Sequence, residues 1–334
     1  MDYDPVPDIR KLGYTMREAR FLSLVGTYGG YFLRRQFIRY VRRTHGGVDQ
    51  SLVEKGQRWG HLRALDYGGR RQVFQLTSTA ICYLLGRRLP FARRPKGDLE
   101  IKSRLLVLDY IVDHVETRFL ASSDDKLDYF SEVLNIACDF LPRRPRIEPG
   151  CKDAAVYFDE LSPIALLPGV APAPLLVSIV FVDGGNQTDL AFRSFLARYQ
   201  PLCERLDRFE VVYVSDSRRN FAPAAALFHH AFRGVSRPLF AQGASHFLDY
   251  LRVRSSEEDD PQSLDPKQRE LLGEGKELYA SARHEQIYAA WKQGKTTFAG
   301  ILATGSSEAC PGSIRGYLMQ ASYPSCLPRL GRAS

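Results

Sequence analysis

The chain has 334 residues, 44% hydrophobic and 25% charged, with a formal net charge of +8, values of an ordinary globular protein of two domains that exclude wholesale disorder. No stretch reaches the roughly 18 apolar residues of a membrane span, and the opening MDYDPVPDIRKLGY has no apolar leader core, so a cytoplasmic chain with no membrane partner is expected. The charge is uneven: residues 1–100 hold 19 Lys and Arg against 9 Asp and Glu, which leaves the remaining chain slightly acidic and aims the first third at a polyanion.

Thr15-Met16-Arg17-Glu18 is a capping box, and Ala19, Leu22 and Val25 follow at helical spacing, so a first helix starts near Met16 and ends at Gly29-Gly30. A second helix is expected from Leu33 to Arg43, with Phe37 and Val41 on its apolar face and Arg34 and Arg35 at its start as phosphate contacts. The third, from Asp49 to Ala64, is the candidate recognition helix. At 100° per residue Leu52, Val53, Gly56 and Trp59 share an inward arc, while Ser51, Lys55 and Arg58 form a neighbouring polar face. Leu62 breaks the phase. Two strand-like runs around Gly68-Gly69 then read as a hairpin wing with Arg70 and Arg71 at its tip, and Thr77-Ser78-Thr79 caps a short helix over Ala80 to Gly86. Three helices followed by a basic hairpin form a winged helix-turn-helix. Its recognition helix fits the major groove of double-stranded DNA while guanidinium groups at the wing reach phosphates. Ser51, Lys55 and Arg58 would read sequence; Arg34, Arg35, Arg70 and Arg71 would position the duplex.

Residues 87–97 are basic and broken by proline, as in a linker. Helical pattern returns over 99–118 and again around 126–133. Beyond Cys151 it switches to strand, strand, helix, strand, helix: 154–158, 175–182, 190–206, 209–215 and 223–232, with a proline-rich turn over 163–174 between the first two. This is a small α/β sandwich with a mixed or parallel centre, because strand, helix, strand implies a crossover. Residues 255–260 form an acidic surface run, 267–291 one or two charged helices, and the chain from Thr304 loses periodicity.

The segments TMREARFLSLVGTYGGYFLRRQF, VFQLTSTAICYLLG, VFVDGGNQTDLAFRSFLARYQPL and FEVVYVSDSRRN resemble the replication-relaxation family of plasmids and integrating elements over roughly residues 12–235. The resemblance implies a winged helix ahead of a domain similar to the PD-(D/E)xK nuclease core, and DNA binding in the replication, transfer or regulation of a mobile element. That core needs an acid on one strand, then an acid, one residue and Lys on the next, so that carboxylates hold Mg²⁺ and the ammonium orients water. Asp153 stands where the first acid belongs, but Phe181-Val182-Asp183 occupies the second motif, which removes its carboxylate and its Lys. Asp159, Glu160 and Asp189 are carboxylates without a Lys two residues on. Asp183 itself reads as a strand-end turn residue before Gly184-Gly185.

Cys82, Cys138, Cys151, Cys203, Cys310 and Cys326 form no C-x-x-C pair and are expected as reduced structural thiols. With no G-x-x-x-x-G-K-[ST] either, no metal, cofactor or catalytic residue is expected. The resulting map is α+β or α/β. It has a winged-helix DNA-binding domain at 1–97, a helical linker at 98–145, a degenerate nuclease-like α/β domain at 146–303 and a loosely ordered tail at 304–334. The rear domain would dimerise or dock a protein partner. The alternatives are a metal-dependent nuclease of the PD-(D/E)xK class and a winged-helix protein-interaction adaptor.

Overall fold

A computed structural model describes residues 4–42, 47–67, 72–77, 96–120, 122–145, 155–159, 161–168, 175–185, 189–233, 236–238, 244–261, 263–279, 282–303, 307–309, 312–321 and 323. Arg70, Arg71, the helix expected over Ala80 to Gly86, most of the linker at 87–97, Asp153 and Glu160 lie outside the described residues.

The first third is built as α1 (Val6–Lys11), α2 (Met16–Thr27), β1 (Tyr31–Phe32), α3 (Arg34–Tyr40), α4 (Val48–Arg58), β2 (Leu62–Asp66) and β3 (Gln72–Leu76). The Thr15 capping box forms as expected, with the Thr15 amide donating to Glu18 Oε2 at 2.7 Å. Helix α4 ends at Arg58, short of the expected Ala64. Gly60 takes a φ of +70°, a left-handed conformation open to glycine, and Leu62 passes into β2 opposite Leu76. The strands order β1-β3-β2, all antiparallel. Their inner face and helices α1 to α4 enclose a core that includes Phe21, Phe32, Phe37, Leu52 and Phe74, with the Phe21 ring 4.9 Å from Phe37 and 5.3 Å from Phe32.

Helix α5 (Asp98–Asp113) is buried on nearly every side. Leu108 and Val112 complete the front core, while Ile101, Leu105 and Ile111 pack on the rear sheet against Val180, Val182, Val212 and Val214. The helix expected over 99–118 and assigned to a linker therefore serves as a wall common to both cores. After it come β4 (Arg118–Leu120), α6 (Ser123–Asp128), β5 (Arg143–Pro145), β6 (Ala155–Tyr157), β7 (Ile164–Leu167), β8 (Leu176–Asp183), α7 (Asp189–Cys203), β9 (Phe209–Ser215) and α8 (Phe221–Ala231).

The rear sheet orders β12-β9-β8-β7-β4, where β12 spans Gly312–Leu318. Strands β8, β9 and β12 run parallel, and β7 and β4 continue antiparallel. Strands β8 and β9 are buried along nearly their whole length, which explains their unbroken apolar β-branched sequence: α5 covers one face, and α7 and α8 cover the other. The fold is mixed α+β, as composition and periodicity indicate.

Three assignments differ. The strand expected at 154–158 forms only at Ala155–Tyr157 and pairs with β5 in a separate two-stranded sheet. The turn expected at 163–174 holds β7, bracketed by Pro163 and Pro168 and paired with β8 from Ile164↔Ile179 to Leu167↔Leu176. The tail expected to be loose from Thr304 supplies β11 (Ser307–Ala309) and the edge strand β12. Glycine at 312 and 316 hid this strand. A Cβ on Gly312 would lie 2.2 Å from the Phe209 ring and one on Gly316 2.6 Å from the Phe221 ring, so the strand needs glycine where aromatic rings cover it.

Between β10 (Ser236–Pro238) and β11, which pair antiparallel, the chain builds α9 (Ala244–Asp259), α10 (Pro266–Leu278), α11 (Ala282–Lys292) and α12 (Phe298–Ala303). These helices enclose their own core of Phe247, Tyr250, Leu251, Tyr279 and Ile301. The acidic run at 255–260 lies mostly on α9 and pairs inside this unit: Glu257 meets Lys276 at 2.9 Å, and Glu258 forms an ion pair with Lys292.

Candidate nucleic-acid interface

Helix α4 turns Leu52, Val53 and Gly56 inward. Gly56 is required there, because a Cβ would stand 2.4 Å from Leu62 Cδ1 where the helix crosses β2. Ser51 and Arg58 are exposed. Lys55 is not on that face. Its ammonium lies 2.7 Å from Glu18 Oε2, the same oxygen that caps α2, and 5.6 Å from the centre of the Tyr14 ring. The outward face consists instead of Gln50, Ser51, Glu54, Gln57 and Arg58, with Gln50 Nε2 donating to Glu54 Oε1 at 2.7 Å. The spacing 50, 54, 57, 58 places these side chains on one face, and amides and carboxylates form hydrogen bonds to base edges as cations do.

At the start of α3 the two arginines diverge. Arg34 is partly exposed, sits over the Phe74 ring at 5.4 Å and lies 3.9 Å from Asp49 at the start of α4. Arg35 turns inward: both terminal nitrogens reach Asp109 of α5 at 2.8 Å, and that carboxylate is fully buried. Arg39, one turn on, pairs with Asp113 at 2.5 Å. Arg35 is thus a joint between the front module and α5, not a surface phosphate contact. Its pKa is raised, since the Asp109 hydrogen bond and charge outweigh the cost of burial.

The hairpin β2–β3 is paired up to Asp66↔Gln72, and Arg63 Nη2 donates to Gln75 Oε1 across it at 2.6 Å. At the far end of α4, Trp59 is 41% exposed and packs edge-on against Tyr14 at 5.2 Å. The Tyr14 hydroxyl lies 2.9 Å from His61 Nδ1. Burial holds the His61 imidazolium pKa below the usual histidine value, and burial with the Glu18 charge pushes the Tyr14 phenol up.

In the rear sheet, β8 runs past the end of β7, and a cleft of about 470 Å³ opens between the start of α5, the loop at 159–162 and α7. Glu100 and Asp159 stand on its walls with Arg198 and three serines, Ser103, Ser162 and Ser194. Glu100 accepts from Arg104 at 2.7 Å and pairs with Lys96 at 3.1 Å. Asp159 lies 4.0 Å from Arg198. The Arg104 and Lys96 contacts hold the Glu100 carboxyl below its usual value despite a burial penalty. Phe181 is packed among Phe192, Phe195 and Tyr213. Asp183 is buried and accepts from Tyr213 Oη and Asn220 Nδ2 at 2.9 Å each and from the Gly185 amide at 2.8 Å. Its place as a strand-end residue is therefore fixed by three donors. Among the described residues no group of three or more His, Cys, Asp or Glu is arranged to hold a metal ion, and no helix is long and apolar enough to cross a membrane.

No family model matches the chain, and no curated protein or solved structure does either.

Proposed function

We propose that the chain is a double-stranded-DNA-binding protein in which residues 1–97 act as a winged helix-turn-helix and the rear domain as a platform. The observation that carries this reading is the order α2-β1-α3-α4-β2-β3 with strands arranged β1-β3-β2. This arrangement puts a helix with an exposed polar face beside a two-stranded hairpin, as groove-and-wing docking requires. The excess of positive charge in the same third of the chain supports a polyanion as partner. On this reading Ser51, Arg58 and the amide side chains of α4 read bases, while Arg34, Arg70 and Arg71 hold phosphates.

In the rear sheet α5 is followed by antiparallel β4, β7 and β8, with α6, β5 and β6 inserted after β4, and then by crossover helix α7 and parallel strand β9. This order supports a likeness to the PD-(D/E)xK core and, with it, the replication, transfer or regulation of a mobile element. We read that core as degenerate, because Phe181 replaces the motif carboxylate and the two acids on the cleft walls already face Arg or Lys partners. A second reading, a metal-dependent nuclease, is favoured by one observation only: Glu100 and Asp159 share a cleft where β7 and β8 part. An adaptor that uses the front module to dock a protein is the third.

The deciding experiment is a fluorescence-anisotropy titration of labelled duplex DNA at three salt concentrations in EDTA, comparing wild type with the Arg70→Ala/Arg71→Ala double variant. Salt-sensitive binding weakened by the double variant is expected. No binding at low salt refutes the DNA reading and favours the adaptor. Cleavage on replacing EDTA with Mg²⁺ or Mn²⁺ refutes the degenerate assignment.

A further inference from the structure

We propose that strand β12, with Met319 and Tyr323 beyond it, forms a latch that clamps helix α3 onto helix α5 and thereby sets how tightly the front module is held to the rear sheet. The inference rests on contact geometry and is independent of what the front module binds.

Two carboxylates on α5, Asp109 and Asp113, are each reached from both sides. From α3, Arg35 makes its two 2.8 Å contacts to Asp109, and Arg39 lies 2.5 Å from Asp113. From the C-terminal segment, the Tyr323 hydroxyl donates to Asp109 Oδ2 at 2.7 Å, and the Tyr317 hydroxyl donates to Asp113 Oδ2 at 2.9 Å. The pattern repeats one turn apart on α5, so arginine, aspartate and tyrosine form two rungs of one ladder. The Tyr323 ring also lies under the Arg35 guanidinium at 5.0 Å, and Met319 and Tyr323 are buried with α5 residues in the core of the rear sheet. A buried carboxylate without its full set of donors is costly, so each tyrosine stabilises the ion pair that joins α3 to α5.

The same segment includes one of the two edges of the sheet. Among the described residues strand β12 pairs on one side only, with β9, and its residues are exposed or half-buried. The chain after it is tied back by the Met319 amide donating to the Ser215 carbonyl at 2.8 Å. Only two residues separate β12 from β11, which pairs with β10 on the other side of the helical unit in the chain. The edge strand, through Tyr317, and the chain just beyond it, through Tyr323, therefore add the hydroxyl donors to the two carboxylates on α5.

The test is hydrogen–deuterium exchange on the full chain, wild type against the Tyr317→Phe/Tyr323→Phe double variant, which keeps both rings and removes both hydroxyls. Exchange should quicken by about tenfold or more over 34–40 and 105–113, the effect of losing hydrogen bonds to charged acceptors. It should stay unchanged over 247–259 and 266–278 in the helical unit. Unchanged exchange in α3 and α5 would overturn the latch, and so would uniform acceleration across the chain, which would mark a general loss of stability. Should the double variant fail to fold, Tyr323→Phe alone carries the same comparison, with the change expected at Arg35 and its neighbours on α3.

Discussion

Lys55 and Glu18 lie 2.7 Å apart, and that single contact takes the lysine of the candidate recognition helix out of the set available to a ligand. The ammonium and the capping carboxylate are both largely shielded, so the pair joins α4 to the start of α2.

Lys55→Ala and Arg58→Ala should consequently part ways. Removing Lys55 leaves a shielded carboxylate without its cation and is expected to cost about 1–3 kcal/mol of stability. Arg58→Ala leaves the melting temperature unchanged and relaxes sequence discrimination on duplex DNA, by about 1–3 kcal/mol at the base it contacts. Thermal melts beside anisotropy titrations on specific and random duplexes separate the two. Equal effects of both variants on both readouts would contradict the assignment.

Gly56→Ala should destabilise the protein by about 1–3 kcal/mol, because the new methyl meets Leu62 at 2.4 Å. Shortening the neighbour should offset part of this. The Gly56→Ala/Leu62→Ala pair is expected to lose less than the sum of the single variants in chemical denaturation. Strict additivity would mean that the two sites do not touch.

Asp109→Ala should be among the most damaging single changes on α5. It strips a buried carboxylate from Arg35 and Tyr323 together, and the loss of one partner from a buried pair is expected to cost about 3–5 kcal/mol. Urea denaturation followed by intrinsic fluorescence reads this directly, and a loss below about 1 kcal/mol would show that the joint is not where the modules are held.

His61 gives the pH dependence a definite sign. Burial lowers its folded pKa below the unfolded value, so the unfolded chain takes up a proton first as pH falls. The stability it contributes is full above the usual histidine range and declines as pH drops through that range. Wild type should therefore lose stability relative to His61→Gln between pH 7.5 and 5.5. A constant difference in melting temperature across that interval would rule this out.

Much of the front third was legible in the sequence because its signals are local: the Thr15 box, the apolar arc Leu52, Val53 and Gly56, and the runs around Gly68-Gly69 each lie within one helix or hairpin. Helix α1 and strand β1 were not foreseen, and Trp59, expected on the inward arc, is 41% exposed. Strands β8 and β9 were equally plain, since burial on both faces demands continuous apolar residues. What escaped depends on distant chain. Strand β7 hides between two prolines, and β12 hides because its glycines answer to Phe209 and Phe221. The inward turn of Arg35 is decided by Asp109, 74 residues away. The outward amides of α4 were visible in the spacing but do not carry the charge by which such a face is usually sought.

The parallel edge at β9 has a bearing on how the protein is made. Ser215 leaves the ribosome well before Gly312, and α8, β10, the helical unit and β11 are all synthesised between them. During that interval the outer edge of β9 has no neighbour, and the Phe209 and Phe221 rings that Gly312 and Gly316 later accommodate have no strand beside them. Nascent chains, and any product shortened at its C-terminus, thus display an apolar strand edge of the kind that recruits other chains into aggregates. Strand β12 decides whether that edge is covered.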